Sequence, residues 1–419
     1  MDMPKLRFRD SKGNNFLEWL YKSIKDIGTV YTGNTPTTSC LEYYGNEYPW
    51  ITPSDIQSDS VIFSSKKMLS ERGYKKCRQL PAGAVLITCI ASIGKNVILG
   101  KAGSCNQQIN AIVPKEDMSS YFILYALTMK TKDLLSLGGN GGMKIVKKSI
   151  FEKMLIPVPS LPEQHKIADF LSSYDEKISI QRERVEALER RKKGLLQKVF
   201  SQEIRFKADD GSEYPEWSNS SFSSVFASVG NNTFSRSDLT SDNSSNIRNI
   251  HYGDVLIKYG EIINTEVDSI PYIKKSISFP DNTDKLLQNG DIVFADTAED
   301  NTVGKACEIA LSDVRHKIVS GLHTIAIRPT IQFASGYLGF FLNSSLFHDQ
   351  LLPLIQGIKV SSISKKALFE ETRVYYPSYQ EQQKISNLLT NISEQIKVEK
   401  ERLSTMETIK KGLLQGLFC

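Results

Sequence analysis

No window of the 419 residues approaches the ~18 consecutive apolar residues that a membrane-spanning helix requires, and MDMPKLRFRD is followed by no apolar stretch of the secretory kind. The six cysteines, Cys40, Cys77, Cys89, Cys105, Cys307 and Cys419, form no CxxC pair, and the five histidines show no HExxH or HxxxH spacing. A zinc site is therefore not expected, and the thiols read as reduced in a cytoplasmic protein. Also missing are a GxxxxGK[ST] phosphate loop, an acidic helicase-like box, and the Asn/Asp-Pro-Pro-aromatic loop of an adenine amino-methyltransferase. No catalytic residue and no metal or cofactor of its own is assigned to the chain.

A strong excess of one charge is absent too. The net charge is only +5, but it is unevenly spread: residues 1–155 hold 21 basic and 13 acidic side chains, whereas 210–375 hold 14 and 20. A polyanion could meet the first region broadly and the second only through a local patch.

What the sequence does have is an internal repeat. Shifted by 218, PSLPEQHKIADFL at 159–171 falls on PSYQEQQKISNLL at 377–389, and RKKGLLQKVF at 191–200 falls on IKKGLLQGLF at 409–418; 19 of the 42 positions from 159 to 200 are identical. The repeat reaches back more faintly. KKSIFEKMLIPVP at 147–159 meets KKALFEETRVYYP at 365–377, SIGK at 92–95 meets TVGK at 302–305, and an Glu-Trp pair recurs at 18–19 and 216–217.

The repeated segments carry a 3.5-residue apolar period. In the first it runs through Ile167, Leu171, Tyr174, Ile178, Val185, Leu188, Leu195 and Val199, and in the second through Ile385, Leu389, Ile392, Ile396, Leu403, Met406, Leu413 and Leu417. Polar breaks fall at matching places, Gln181 and Lys192 against Glu399 and Lys410. A period kept for more than four heptads indicates supercoiled helices; two matched copies in one chain favour pairing with each other, antiparallel about a pseudo-two-fold axis, over a dimerisation coiled coil with another chain. Pro162 and Glu163 suit a helix first turn, and the 40 residues from Leu161 to Phe200 would make a rod of about 60 Å.

Between the helices, short extended runs alternate with Gly and Pro: YTGNTPT at 31–37, PWITPSD at 49–55 and LPAGAVLITCIASIGKNVIL at 80–99, then HYGDVLIKYG at 251–260, NGDIVFADT at 289–297 and HTIAIRP at 323–329. Helical stretches are expected at 119–137 and 336–355. The fold class is α+β, with two similar domains, 1–157 and 206–375, and two long helical segments, 158–205 and 376–419. GGNGGMK at 138–144 reads as a backbone turn approaching a ligand or DNA. Asp296, Glu299 and Asp300 near Lys305 read as a solvated turn rather than a metal-dependent nuclease cluster, and His251 and His323 as packed or surface residues of extended runs.

Taken in order, the Glu-Trp opening, TGNTPT, PWITPSDI, GKNVIL, GGNGGMK, IPVPSLPEQHKIADFL and KKGLLQ resemble the specificity subunits of Type I restriction-modification systems over nearly the whole chain. In the second domain the TGNTPT-like segment is eroded to VGNNTFSRS at 229–237. The resemblance implies two target-recognition domains reading the halves of a split sequence in double-stranded DNA. It also implies helices that set the spacing and bind the methyltransferase (modification) subunits, with restriction/translocase subunits as further partners and S-adenosylmethionine, ATP and magnesium held by those partners. A heptad inserted after Val185 and after Leu403 would test the spacing role. The alternatives are a free-standing two-domain DNA-binding regulator or decoy subunit, and, third, a nuclease fused to its own reader.

DNA reading needs cations for phosphates and Arg, Asn, Gln or Lys for base edges. The candidates are Lys66, Lys67, Lys75, Lys76 and Arg78 in one basic stretch, Asn106 and Gln107 in GSCNQQIN, and Lys144, Lys147 and Lys148 after the Gly-rich turn. In the second domain they are Arg236, Arg248, Lys258, Lys359, Lys365 and Lys366.

Overall fold

The computed structural model describes residues 4–138, 144–242, 245–277, 279, 283–311, 317–357 and 359–418. The chain forms two compact units, Met1–Val185 with Glu399–Cys419, and Glu186–Val398. The two 40-residue helices, Leu161–Phe200 and Tyr379–Phe418, are divided between them. Each unit is thus completed by the first half of one helix and the second half of the other.

The first unit contains a five-stranded sheet in the order Gly28–Thr32, Ile109–Pro114, Val85–Thr88, Asn96–Leu99, Val61–Ile62. Its neighbours are antiparallel except for the last, parallel pair. A four-stranded sheet adjoins it: Tyr44–Gly45, Met68–Leu69, Tyr48–Ile51 and Ser104–Cys105. Leu20–Ser23 and Leu155–Val158 form a separate antiparallel strand pair.

The second unit repeats the plan. Its five strands run Phe226–Val229, Thr324–Pro329, Ile292–Ala295, Ala306–Ala310, Ile262–Asn264, its four run Leu239–Thr240, Tyr272–Ile273, Ile247–Ile250, Lys317–Ser320, and its strand pair is Ser218–Ser221 with Arg373–Tyr376. The stretch 251–260, expected as extended, is instead a helix, Tyr252–Ile257. The His251 side chain caps it by accepting the Gly253 amide, and Asp254 in its first turn suits the positive helix end.

The seam positions are all at least half-buried. Ile167 and Leu171 share a core with Phe122, Leu417 and Phe418 in the first unit, while Val199, Phe200, Ile385 and Leu389 share one with Tyr337, Phe340 and Phe341 in the second. In the first unit Asp175 is ion-paired with Lys410, and the Gln181 amide donates to the Glu399 carboxylate at 2.6 Å. As one residue number rises the other falls, so the helices run antiparallel. The Gln181 bond, with Arg184 at 2.9 Å and Arg402 at 3.4 Å, holds the Glu399 carboxyl below its usual range.

The recurring Glu-Gln pair at the helix starts has a clear task. Arg7 donates to Glu163 from Nε (3.1 Å) and Nη2 (2.7 Å), and to the carbonyls of Phe16 and Leu17; Arg205 does the same to Glu381 (3.2 and 2.9 Å) and to Tyr214 and Pro215. Both glutamates are fully buried. Gln164 accepts the Ser119 amide and Gln382 that of Ala334, fastening each helix to its domain. The segments 6–19 and 204–217 are therefore a further repeat, at a shift of 198, with Gly13 and Gly211 both at φ +84°.

Candidate nucleic-acid interface

Sheet register gathers distant loops at one end of each domain. In the first unit Thr32 lies opposite Asn110, Ile109 opposite Thr88 and Ile87 opposite Asn96, so the segments 33–37, 89–95 and 106–108 emerge together. A Cβ on Gly33 would sit 2.3 Å from the Cys105 and Asn106 carbonyl oxygens, which only glycine tolerates. Asn34 donates its amide to Cys105 O (3.0 Å), accepts the Arg78 amide on Oδ1 (2.7 Å) and donates Nδ2 to Lys76 O (3.1 Å). The Thr35 hydroxyl donates to Gln107. The Asn106 amide reaches Ile51 O (2.9 Å), which brings in the turn 52–55, where Asp55 accepts the amides of Thr52 and Lys66 (2.9 and 3.0 Å). Cys89 N donates to Gln108 O (2.8 Å) and Ala91 N to Lys144 O (3.2 Å).

Lys66, Lys76, Arg78, Gln107 and Lys144, all exposed, therefore share one rim. Lys67 follows Lys66 in the same loop, Lys75 pairs with Glu71 at 3.1 Å, and Lys147 and Lys148 stand at the start of the Lys148–Phe151 helix, the latter 3.5 Å from Glu152. Asn106 is buried and its amide closes onto Gln108 Oε1 (2.9 Å), so it shapes the turn rather than facing outward. Exposed Lys95 occupies the same sheet end, and the SIGK/TVGK match was the signal that could have pointed to it. Of the Gly-rich turn, 139–143 lie outside the described residues.

The second unit makes the same bonds with different side chains. Asn232 N donates to Ser320 O (2.9 Å) as Asn34 does to Cys105, and Gly321 N to Ile250 O (2.8 Å) as Asn106 does to Ile51. Asp296 N donates to His323 O (3.1 Å) as Cys89 does to Gln108, and Ile363 N to Asp296 O (2.9 Å) as Val146 does to Cys89. Within the eroded segment, Asn232 rather than Asn231 thus takes the place of Asn34.

Several cations here are tied into the fold. Arg236 forms a two-pronged pair with Asp254 (2.8 and 2.8 Å), Arg248 donates to Thr265 O (2.7 Å) over the Tyr272 ring, and Lys258 donates to Ser269 O. Lys365 donates to Ser228 (2.7 Å), Lys366 is 3.9 Å from Glu370, and Lys359 is exposed. His251, expected in an extended run, is a helix cap; burial first, then the Arg236 charge, holds its imidazole below the usual value.

Asp300 accepts the Thr302 amide and hydroxyl, and Lys305 donates to the carbonyls of Leu256 and Tyr259. Among the described residues no group of three or more His, Cys, Asp or Glu is placed to hold a metal. Burial pushes the thiols of Cys89, Cys105 and Cys307 up to about 11, 12 and 12, so they stay protonated at neutral pH.

A family model described as "Type I restriction modification DNA specificity domain" matches the chain twice, over residues 17–190 and 215–408. The chain is 34% identical over 199 residues to the Type I restriction enzyme MjaIX specificity subunit of Methanocaldococcus jannaschii, a stretch covering 46% of each, so the chain spans about half the length of that relative. It is 23% identical over 414 residues to the MjaVIII specificity subunit of the same organism, covering 96% of this chain and 92% of the relative. The solved S subunit of a Type I restriction-modification system from M. genitalium has the same fold, with a TM-score of 0.58 at 14% identity over 100% of this chain and 99% of that one. A structure reported for complex assembly and conformational transition of the Type I system gives 0.54 at 17% identity, covering 96% and 97%.

Proposed function

Because the chain belongs to the Type I restriction-modification DNA specificity family, we propose that it reads a bipartite DNA target, one half with each unit, and scaffolds the methyltransferase and restriction subunits that act there. The observation that carries this reading is the duplicated strand-end face: four equivalent backbone bonds build the same platform twice, while the side chains upon it differ. Two platforms of one design with different surfaces suit two different half-sequences. The basic rim of the first unit suits phosphate contacts; the second unit, richer in acids, depends more on local contacts. S-adenosylmethionine, ATP and magnesium belong to the partner subunits in this scheme.

The test is to express the chain with its modification subunits and map adenine methylation across the host genome. The expected result is a single motif of two defined half-sites separated by a fixed gap, with no methyl transfer by the purified chain alone. A continuous motif, or transfer by the isolated chain, would refute the reading.

A further inference from the structure

Among the described residues three non-glycines adopt positive φ: Gln202 at +60°, Ala91 at +61° and His323 at +53°. Gln202 follows the end of the Leu161–Phe200 helix, where a left-handed residue is the ordinary way to terminate. The other two lie on the strand-end face, one in each unit. Such backbone is retained where the surroundings impose it, and it clusters at sites of function. At residue 323 the surroundings are explicit: its carbonyl accepts the Asp296 amide, and the next carbonyl, of Thr324, accepts Asn231 Nδ2 at 2.9 Å.

The side chain is half exposed and aimed. Its ring meets Tyr252 edge-on at 5.4 Å, and Nδ1 lies 3.4 Å from Thr297 Oγ1 and 3.5 Å from Asp296 Oδ1. The Thr297 hydroxyl gives its own proton to Asp296 (2.7 Å), so both oxygens offer lone pairs and Nδ1 is the protonated nitrogen. Nε2 has no partner among the described residues and, with Nδ1 carrying the proton, can accept a hydrogen bond from outside the half-exposed side chain. By the shared bond pattern His323 corresponds to Gln108, at the end of the turn that presents Gln107 in the first unit.

We propose that His323 is a base-reading residue of the second unit, with Nε2 accepting the exocyclic amino group of adenine or cytosine in the major groove. Asp296, Thr297 and Tyr252 position the ring. This deepens the proposed function and rests on it. Glycine adopts positive φ freely, so His323→Gly removes the side chain without straining the turn. The wild-type complex, His323→Gly and Gln107→Ala would each be expressed with the modification subunits and their methylated motifs mapped. The expected outcome is loss of preference at one position of one half-site for His323→Gly, with an unchanged gap and a melting temperature equal to or above wild type, and a change confined to the other half-site for Gln107→Ala. An unaltered motif at reduced overall methylation would make His323 a phosphate contact and overturn base reading. An unaltered motif with a lower melting temperature would make its role structural. If the wild-type complex gives no bipartite motif, the proposed function itself falls.

Discussion

Glu308 shows how one carboxyl can tax the unit that contains it. It is 3% exposed, and its oxygens accept the amides of Gly336 (2.6 Å) and Gly339 (2.9 Å), with no cation paired to it among the described residues. Burial pushes it up to about 7, against the opposing effect of those amides. The folded value lies above the unfolded one of 4.5. Between these pH values the unfolded chain holds fewer protons, so stability falls as pH rises through this window. Glu308→Gln has no such titration. Its stability relative to wild type, from urea unfolding, is expected to improve between pH 5 and pH 8 by up to about 3 kcal/mol. A difference independent of pH would show that the ionised carboxylate is accommodated without cost.

At the scale of elements, the long helices were legible because the apolar period is sustained and repeated, and the observed Leu161–Phe200 and Tyr379–Phe418 follow it. The 6–19 and 204–217 segments were not, since only Arg, Phe, Gly, Glu and Trp recur and the shift changes from 218 to 198 between them and the helices. The strand-end face was hidden for another reason. It assembles Asn34, Arg78, Gln107 and Lys144 through backbone bonds and the side chains of Asn34 and Thr35, between loops far apart in sequence, and no local pattern encodes those bonds. The helix Tyr252–Ile257 is not legible in the sequence because six residues are too short to display a helical period and its start depends on a histidine cap.

Register also refines the test of the helices as a ruler. Insertions after Val185 and Leu403 keep the apolar phase but are not opposite one another, whereas Gln181 and Glu399 face each other directly. A heptad placed after each of these two residues lengthens both helices by about 10 Å while keeping the seam paired, and should widen the gap between half-sites by about three base pairs. The half-site sequences should stay constant in the methylation map. A constant gap would remove the helices from that role.

At the scale of the whole molecule, the way each domain leaves its helix matters most. Ile204 N donates to Lys198 O at 3.1 Å, where the first long helix runs covalently into the second domain. Leu6 N donates to Gly416 O at 2.8 Å, the equivalent bond, with no peptide link between the partners; the Leu6 side chain covers Gly416 so closely that a Cβ there would meet it at 2.8 Å. Non-covalent docking thus reproduces what the backbone does elsewhere in the same chain. If that docking is as firm as the covalent junction, either junction can carry the peptide link without changing the fold. A circular permutant opened between 201 and 203, with a short glycine-serine linker joining residue 418 to residue 4, should fold with an unchanged circular-dichroism spectrum and direct methylation to the same motif. Loss of folding would show that a covalent link cannot stand in for the docking of Leu6 on Gly416.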